Sequence, residues 1–401
     1  MFYKAALMHE PALSCSNSSP SAVAALGPLM AVVLIAFVVM GMALPVLPLH
    51  VHDDLGFGAA MVGLVAGSQF AASLVSRAWA GNTCDNQGPK RAIGIGLAAA
   101  ALAGLIYLLS LRYTDTPRLS VAILLAGRAM LGGAESFIIT GATVWGLARA
   151  GARNAGTVIA WIGMAMFVAF AGGAPLGVVL YNHGGFAAIA AATLLAPLAT
   201  LTFIAPLQAV TAERKASVGM LSVVGKVWLP GLGAALSSVG FGVIVSFGSL
   251  LFAQNGWTPV WLAFTSYAVA LIVARLLFGH LPDRIGGAKV ALVCVLIETG
   301  GLALIGLASS TIPAAIGAAL VGFGYALVFP GLGVEAVRRA PPESRGLAMG
   351  AYTACLDLAL GITGPLLGLI AADAGLSTAF LVSAGIVLAS AGVSATLLRP
   401  G

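Results

Sequence analysis

The chain has 401 residues, 60% of them hydrophobic and 8% charged, against about 25% charged in ordinary soluble domains. A water-soluble fold has too little interior for that much apolar side chain, whereas a bilayer removes the demand for a polar surface. The net charge of +6 comes without a basic stripe or interleaved aromatics, so it is no nucleic-acid footprint; Cys15, Cys84, Cys294 and Cys355 are scattered and form neither a disulfide framework nor a zinc site.

Residues 1–24 mix Lys4, His9, Glu10 and Pro11 with a Ser/Asn/Pro stretch. That is too polar for a signal peptide and reads as a cytoplasmic tail. Twelve runs then approach the roughly 20 apolar residues that a membrane helix needs. The first, 25–49, closes on His50, His52, Asp53 and Asp54, which read as solvated outer-loop groups with no metal role. The second, 59–80, carries Gln69 and Phe70 as cavity-lining candidates and runs on into Arg77, Gly81, Asp85, Gly88 and Arg91. After 92–111 comes 119–147, with Arg128 and Glu135 two helical turns apart and hence on one face. Charges inside a membrane are costly. This pair is expected to face a central cavity, Arg128 holding an anionic group or Glu135, and Glu135 carrying a proton; the structural alternative is a pair against a neighbouring helix. The fifth run, 155–181, has Trp161 as a cavity candidate and Gly172, Gly173 and Gly177 around Pro175; the sixth is 186–207.

The longest gap, 208–227, contains Glu213, Arg214, Lys215 and Lys226 and divides the chain into bundles of six spans, 25–207 and 228–398. Phe241 and Phe247 in run 228–253 are further cavity candidates. Run 259–280 leads into Arg275, Gly279, Asp283 and Arg284. Glu298 in 290–309 is expected to form a structural ion pair with Arg275, and Glu335 in 313–336 to pair with Arg338 and Arg339. Asp357 lies well inside 346–372, as a proton or substrate site or as a partner of Arg77 across the halves; 378–398 ends the series.

Lys and Arg favour cytoplasmic loops. Placing both termini inside assigns Lys90, Arg91, Arg149, Arg153, Arg214, Lys215, Arg284, Lys289, Arg338, Arg339 and Arg345 to that side, and leaves only Arg112 and Arg118 outside.

The halves also repeat. Arg77, Gly81 and Asp85 recur as Arg275, Gly279 and Asp283 at a constant offset of 198, while Gly156 and Pro175 recur as Gly346 and Pro365 at 190. Matching features at matching span ends point to duplication. A carboxylate at Asp85 or Asp283, beside a helix start, can accept backbone N–H groups and act as a latch between halves that rock.

Twelve spans, a six-plus-six repeat and this loop signature resemble the major facilitator superfamily. Gly81-Asn-Thr-Cys-Asp85-Asn86-Gln-Gly88-Pro89-Lys90-Arg91 follows its signature except that Asn86 replaces a basic residue; the second copy, Gly279 to Lys289, keeps Arg284. The stretches LPVLPLHVHDDLGF (44–57), GRAMLGGAES (127–136) and DLALGITGP (357–365) are similar to a bacterial branch often labelled arabinose-efflux-permease-like. The resemblance implies an all-α membrane fold of two pseudo-symmetric bundles in a bacterial inner membrane. Gly364, Pro365 and Gly368 resemble an exporter signature, degraded in the fifth span by Ala174.

No P-loop, HExxH or GxSxG is present, so no enzyme chemistry and no cofactor are implied. The expected function is alternating-access transport of a small molecule by a monomer, as a proton-coupled exporter. The alternatives are a uniporter or symporter of a sugar or other metabolite and, from other classes, a channel or a membrane sensor.

Overall fold

The computed structural model describes residues 22–150, 155–210, 220–340 and 345–398, and is helical nearly throughout. α1 (Ala22–Leu49) passes into a π-helical turn, His50–Asp54. α2 (Ala59–Gln87), α3 (Pro89–Ser110) and α4 (Pro117–Ala150) follow. Ala155–Ile204 is one hydrogen-bonded run, but Gly185 at φ 59° and ψ −162° breaks it into α5 (155–184) and α6 (186–204). The second half comprises α7 (Met220–Gln254), α8 (Leu262–Phe278), the single turn Leu281–Ile285, α9 (Gly287–Gly306), α10 (Thr311–Arg339), α11 (Arg345–Ala374) and α12 (Leu376–Leu397).

Each expected span has its helix. Most helices extend a few residues past the apolar stretch, because the i to i−4 ladder continues into polar sequence. The largest difference is the central gap: residues 220–227, expected as loop, are the start of α7. What remains of that loop, with Glu213, Arg214 and Lys215, lies outside the described residues, as do Arg153, Arg399 and most of the expected tail.

The duplication is visible in the backbone. Gly88 (φ 87°) joins α2 to α3, and Gly286 (φ 97°) leads into α9 at the equivalent place. Gly185 between α5 and α6 has its equivalent in Gly375 (φ 87°) between α11 and α12. These turns need positive φ, which costs a β-carbon-bearing residue energy and glycine none. Asp85 and Asp283 therefore sit at one end of the molecule. Lys90 and Arg149 reach the carbonyls of Ala205, Leu207 and Gln208 there. We call this the basic end.

Within the halves, α1 packs on α5, α3 on α4, α9 on α10 and α9 on α12. Between them, α2 crosses α11, α5 crosses α8, and α1 and α2 touch α7. α1 and α7 are the most enclosed helices, with 72% and 89% of their apolar cores buried, so they line the middle. Leu105, Leu195, Leu276, Leu307, Ile312 and Leu369 are more than half exposed on the outside, the pattern of a lipid-facing surface.

Candidate functional site

The α2–α11 crossing is built from glycine. A β-carbon on Gly364 would run into the Gly63 carbonyl, one on Gly67 into the Gly361 carbonyl, and one on Gly368 into the Ala59 carbonyl, while Gly361 also lies close against Ala71. Small residues let membrane helices approach this closely, and dispersion between backbones holds them. The seam lies toward the end opposite the basic one. Across the α5–α8 crossing, Thr265 Oγ1 donates to the Ala171 carbonyl at 3.4 Å.

Deeper along α2 and α11 the contact becomes polar. Arg77 donates through Nε to Asp357 Oδ2 at 2.8 Å, and its Nη2 binds the same oxygen. Asp357 is 6% exposed and Arg77 25%, so the pair is largely withdrawn from solvent. Of the two roles open to Asp357 in the sequence, the structure places it with Arg77. About two turns back along α2, Gln69 Nε2 donates to Glu135 Oε2 at 2.7 Å. Arg77, Arg128 and Asp357 all lie within electrostatic reach of Glu135.

Arg128 does not pair with Glu135. The i,i+7 spacing puts both on one face, but two turns separate them along the axis by about 10 Å. Arg128 points into the first half, 1% exposed and beside Tyr107; its Nε and Nη1 and the Tyr107 hydroxyl meet no hydrogen-bond geometry among the described residues.

The expected Glu298–Arg275 ion pair is also absent. Glu298 is fully buried, held by the Ser237 hydroxyl at 2.5 Å, and packs against Gly240 and Gly324. Arg275 turns the other way, toward α5: its guanidinium stacks 5.0 Å above the Phe167 ring, and Nε donates to the Ala326 carbonyl. Similar depth on neighbouring helices was the wrong criterion, because side-chain azimuth decides which helix a residue faces. Glu335 does meet Arg338, at 3.8 Å.

Of the cavity-lining candidates, Phe70 and Phe241 meet at 6.3 Å between the halves. Phe241 also stacks on Tyr267 and Tyr325, with Phe264, Phe170 and Phe167 continuing the cluster onto α5. Phe247 is fully buried against the Gly63 seam. Trp161 does not join: it is 37% exposed and has no ring partner among the described residues. Tyr267, Tyr325 and Phe264 were not singled out in the sequence, since one aromatic among many in an apolar run carries no periodic signal.

Neither latch acid is engaged. Asp85 and Asp283 are exposed and accept no hydrogen bond among the described residues; Gly81, Arg91 and Arg284 are at the same end, with Arg91 and Arg284 exposed. From Arg77 and Arg275 toward that end, no hydrogen bond, ion pair or ring contact links the halves among the described residues. At the opposite end, His50 Nδ1 lies 2.7 Å from Asp54, which also accepts the Tyr181 hydroxyl, and the imidazole stacks on Phe186 at 4.1 Å. These residues form a helical turn rather than a loop: Asp53 and Asp54 are exposed as expected, but His50 is buried.

Two halves of six helices, glycine turns repeated between them, and a buried charge pair at their interface define the architecture of a multi-pass membrane protein. The model of the Major Facilitator Superfamily matches residues 29–264 and 231–400. The uncharacterised MFS-type transporter YhhS of Escherichia coli (strain K12) is 41% identical over 352 residues, 88% of this chain and 87% of its own. The uncharacterised MFS-type transporter STM4428 of Salmonella typhimurium (strain LT2) is 41% identical over 369 residues, 92% and 95% of the two chains. A D-xylose-proton symporter superposes with TM-score 0.78 over 93% of this chain and 98% of its own at 12% identity, a likeness of fold. The chain belongs to the Major Facilitator Superfamily; it is a secondary transporter and not an enzyme.

Proposed function

We propose that this chain is a proton-coupled exporter of the bacterial inner membrane, acting as a monomer with both termini in the cytoplasm. Arg77, Asp357, Gln69 and Glu135 form its coupling centre. In this orientation the basic end is cytoplasmic, the glycine seam closes the outer side, and the structure is open inward. Asp85 and Asp283 are then latches waiting for the opposite state. The exporter-like glycines of α11 form part of that seam.

The carrying observation is the contrast between the two acids. Asp357 is bound by a guanidinium across the halves, whereas the hydrogen-bond partner of Glu135 is a neutral amide. Protonating Asp357 strands a cation; protonating Glu135 strands none. A glutamine also serves both protonation states, donating Nε2 to the carboxylate or, after a flip, accepting the acid O–H at Oε1. Gln69 Oε1 is buried and has no partner among the described residues. Glu135 is therefore the proton carrier, and the Arg77–Asp357 pair is the contact that rocking must break.

The substrate comes first from a thermal-shift screen of metabolites and drugs at two pH values. Reconstituted protein under an imposed pH gradient then tests coupling. Glu135→Gln should lose pH-driven flux while keeping substrate exchange, and Asp357→Asn should slow both. If Glu135→Gln accumulates substrate like the wild type, Glu135 does not carry the proton. Flux that neither saturates nor accumulates would mean a channel.

A further inference from the structure

The two inter-half crossings are copies of one another. Gly67 meets Gly361 where α2 crosses α11, and their repeat equivalents Thr265 and Ala171 meet where α8 crosses α5. Arg77 meets Asp357, and the equivalents Arg275 and Phe167 also meet. The register is thus shared at two separate points, with offsets of 198 on α2/α8 and 190 on α5/α11. The chemistry is not shared. One crossing joins an arginine to a carboxylate; the other places an arginine over a phenyl ring, where symmetry puts the carboxylate's position.

Arg275 consequently has no anionic partner among the described residues. Glu298, on neighbouring α9, is taken by Ser237 and forms no ion pair with it, and Asp357 is taken by Arg77. Only Nε of Arg275 is used, on the Ala326 carbonyl; neither Nη atom has a hydrogen-bond partner among the described residues. Phe167 supplies quadrupole attraction but no countercharge. The guanidinium is half-buried, at the level from which the halves part toward the basic end, with Phe170, Phe264, Tyr267 and Tyr325 in the adjoining ring cluster.

We propose that Arg275 is the substrate's anchor and that the missing countercharge is brought by the substrate, a small organic anion whose carboxylate takes the free Nη edge of the guanidinium. The apolar or aromatic body lies against the ring cluster. A planar guanidinium suits this role, since it binds carboxylate oxygens with fixed geometry. The proposal rests on the reading of the chain as a transporter and names the substrate class. It also accounts for the broken symmetry: Asp357 neutralises the arginine at one crossing, and Phe167 leaves the other in need of a ligand.

The test is binding to purified protein in detergent, so it is separate from coupling. The probes are benzoate, 1-naphthoate and indole-3-acetate, each set against its neutral amide, with benzylamine as the cationic comparison. At least one carboxylate should bind the wild type and raise its melting temperature more than its amide or benzylamine does. Arg275→Gln should weaken that binding about ten- to a hundredfold, the loss expected for charge-assisted hydrogen bonds. Arg275→Lys should retain part of it. Phe167→Asp should install the missing ion pair, raise the ligand-free melting temperature and remove the carboxylate response. This variant keeps Arg275, so it also decides the matter if Arg275→Gln fails to fold. The proposal is overturned if no carboxylate outperforms its amide, or if Phe167→Asp binds carboxylates like the wild type. Failed pH-driven flux in Glu135→Gln leaves these results untouched, and the reverse also holds.

Discussion

At the scale of single residues, the interior is governed by where each charge finds its complement. Arg77 and Asp357 complete one another across the halves, and removing one leaves a charge in a poorly solvated place. Breaking a buried pair from one side costs about 3–5 kcal/mol, whereas replacing both members by apolar groups is often neutral. Arg77→Gln should therefore lower the melting temperature of the purified protein clearly. The double variant Arg77→Met/Asp357→Leu should recover most of that loss while remaining inactive in transport. If the double variant is as unstable as the single one, the pair's contribution is packing and not charge. Glu298 presents the opposite case, a buried acid against Gly240, Gly324 and Ser237 with no cation paired to it among the described residues. Its surroundings suit a neutral carboxyl group, because an isolated buried carboxylate is prohibitively costly.

At the scale of elements, backbone approach decides which helices can move apart. At the α2–α11 seam a β-carbon on Gly364 would overlap the Gly63 carbonyl group, which belongs to a helix backbone and cannot rotate away. Gly364→Val should therefore force the seam open and shift the molecule toward the state open at the end opposite the basic one. Spin labels at Asp53 and Gln254, exposed at that end in the two halves, should report longer distances by pulsed dipolar spectroscopy. An unchanged distance distribution with normal transport would show that α11 accommodates the side chain by sliding. In α5 the glycines stand one position earlier in the 190-residue register and face another way: Gly173 and Gly177 pack on Gly41 and Met42 of α1, within the first half. The same small-residue pattern thus holds one helix inside its bundle and seals the other against the opposite bundle.

At the scale of the whole molecule, the two halves are joined from the seam to the arginine crossings, and beyond them no hydrogen bond, ion pair or ring contact links them among the described residues. Asp85 is solvent-exposed and unbonded in this arrangement, so Asp85→Asn should leave its stability unchanged. The substitution acts on the other state, in which the carboxylate would accept backbone N–H groups at a helix start; such charge–dipole contacts are worth about 0.3–1 kcal/mol, up to about 2 when partly buried. Labels at Asn82 and His280, exposed at the basic end of the two halves, should show a larger long-distance population in Asp85→Asn, with slower turnover. Wild-type distances together with wild-type flux would remove the latch from the mechanism.

The number of spans, the duplication and the class of protein were legible in the sequence, because they depend on local quantities. Apolar runs of membrane length and glycines at turns that need positive φ are read one segment at a time, whereas helix ends such as Met220 run on into polar sequence. The tertiary structure decided which charges meet. Arg128 and Glu135 share a helix face yet stay apart, since two turns of rise outreach their side chains; Arg275 and Glu298 sit on neighbouring helices but face different ones. Arg77 and Asp357, 280 positions apart, do meet. Such pairings depend on the register and rotation at which two helices cross. Those follow from the packing of all their neighbours together and leave no signal in either segment alone.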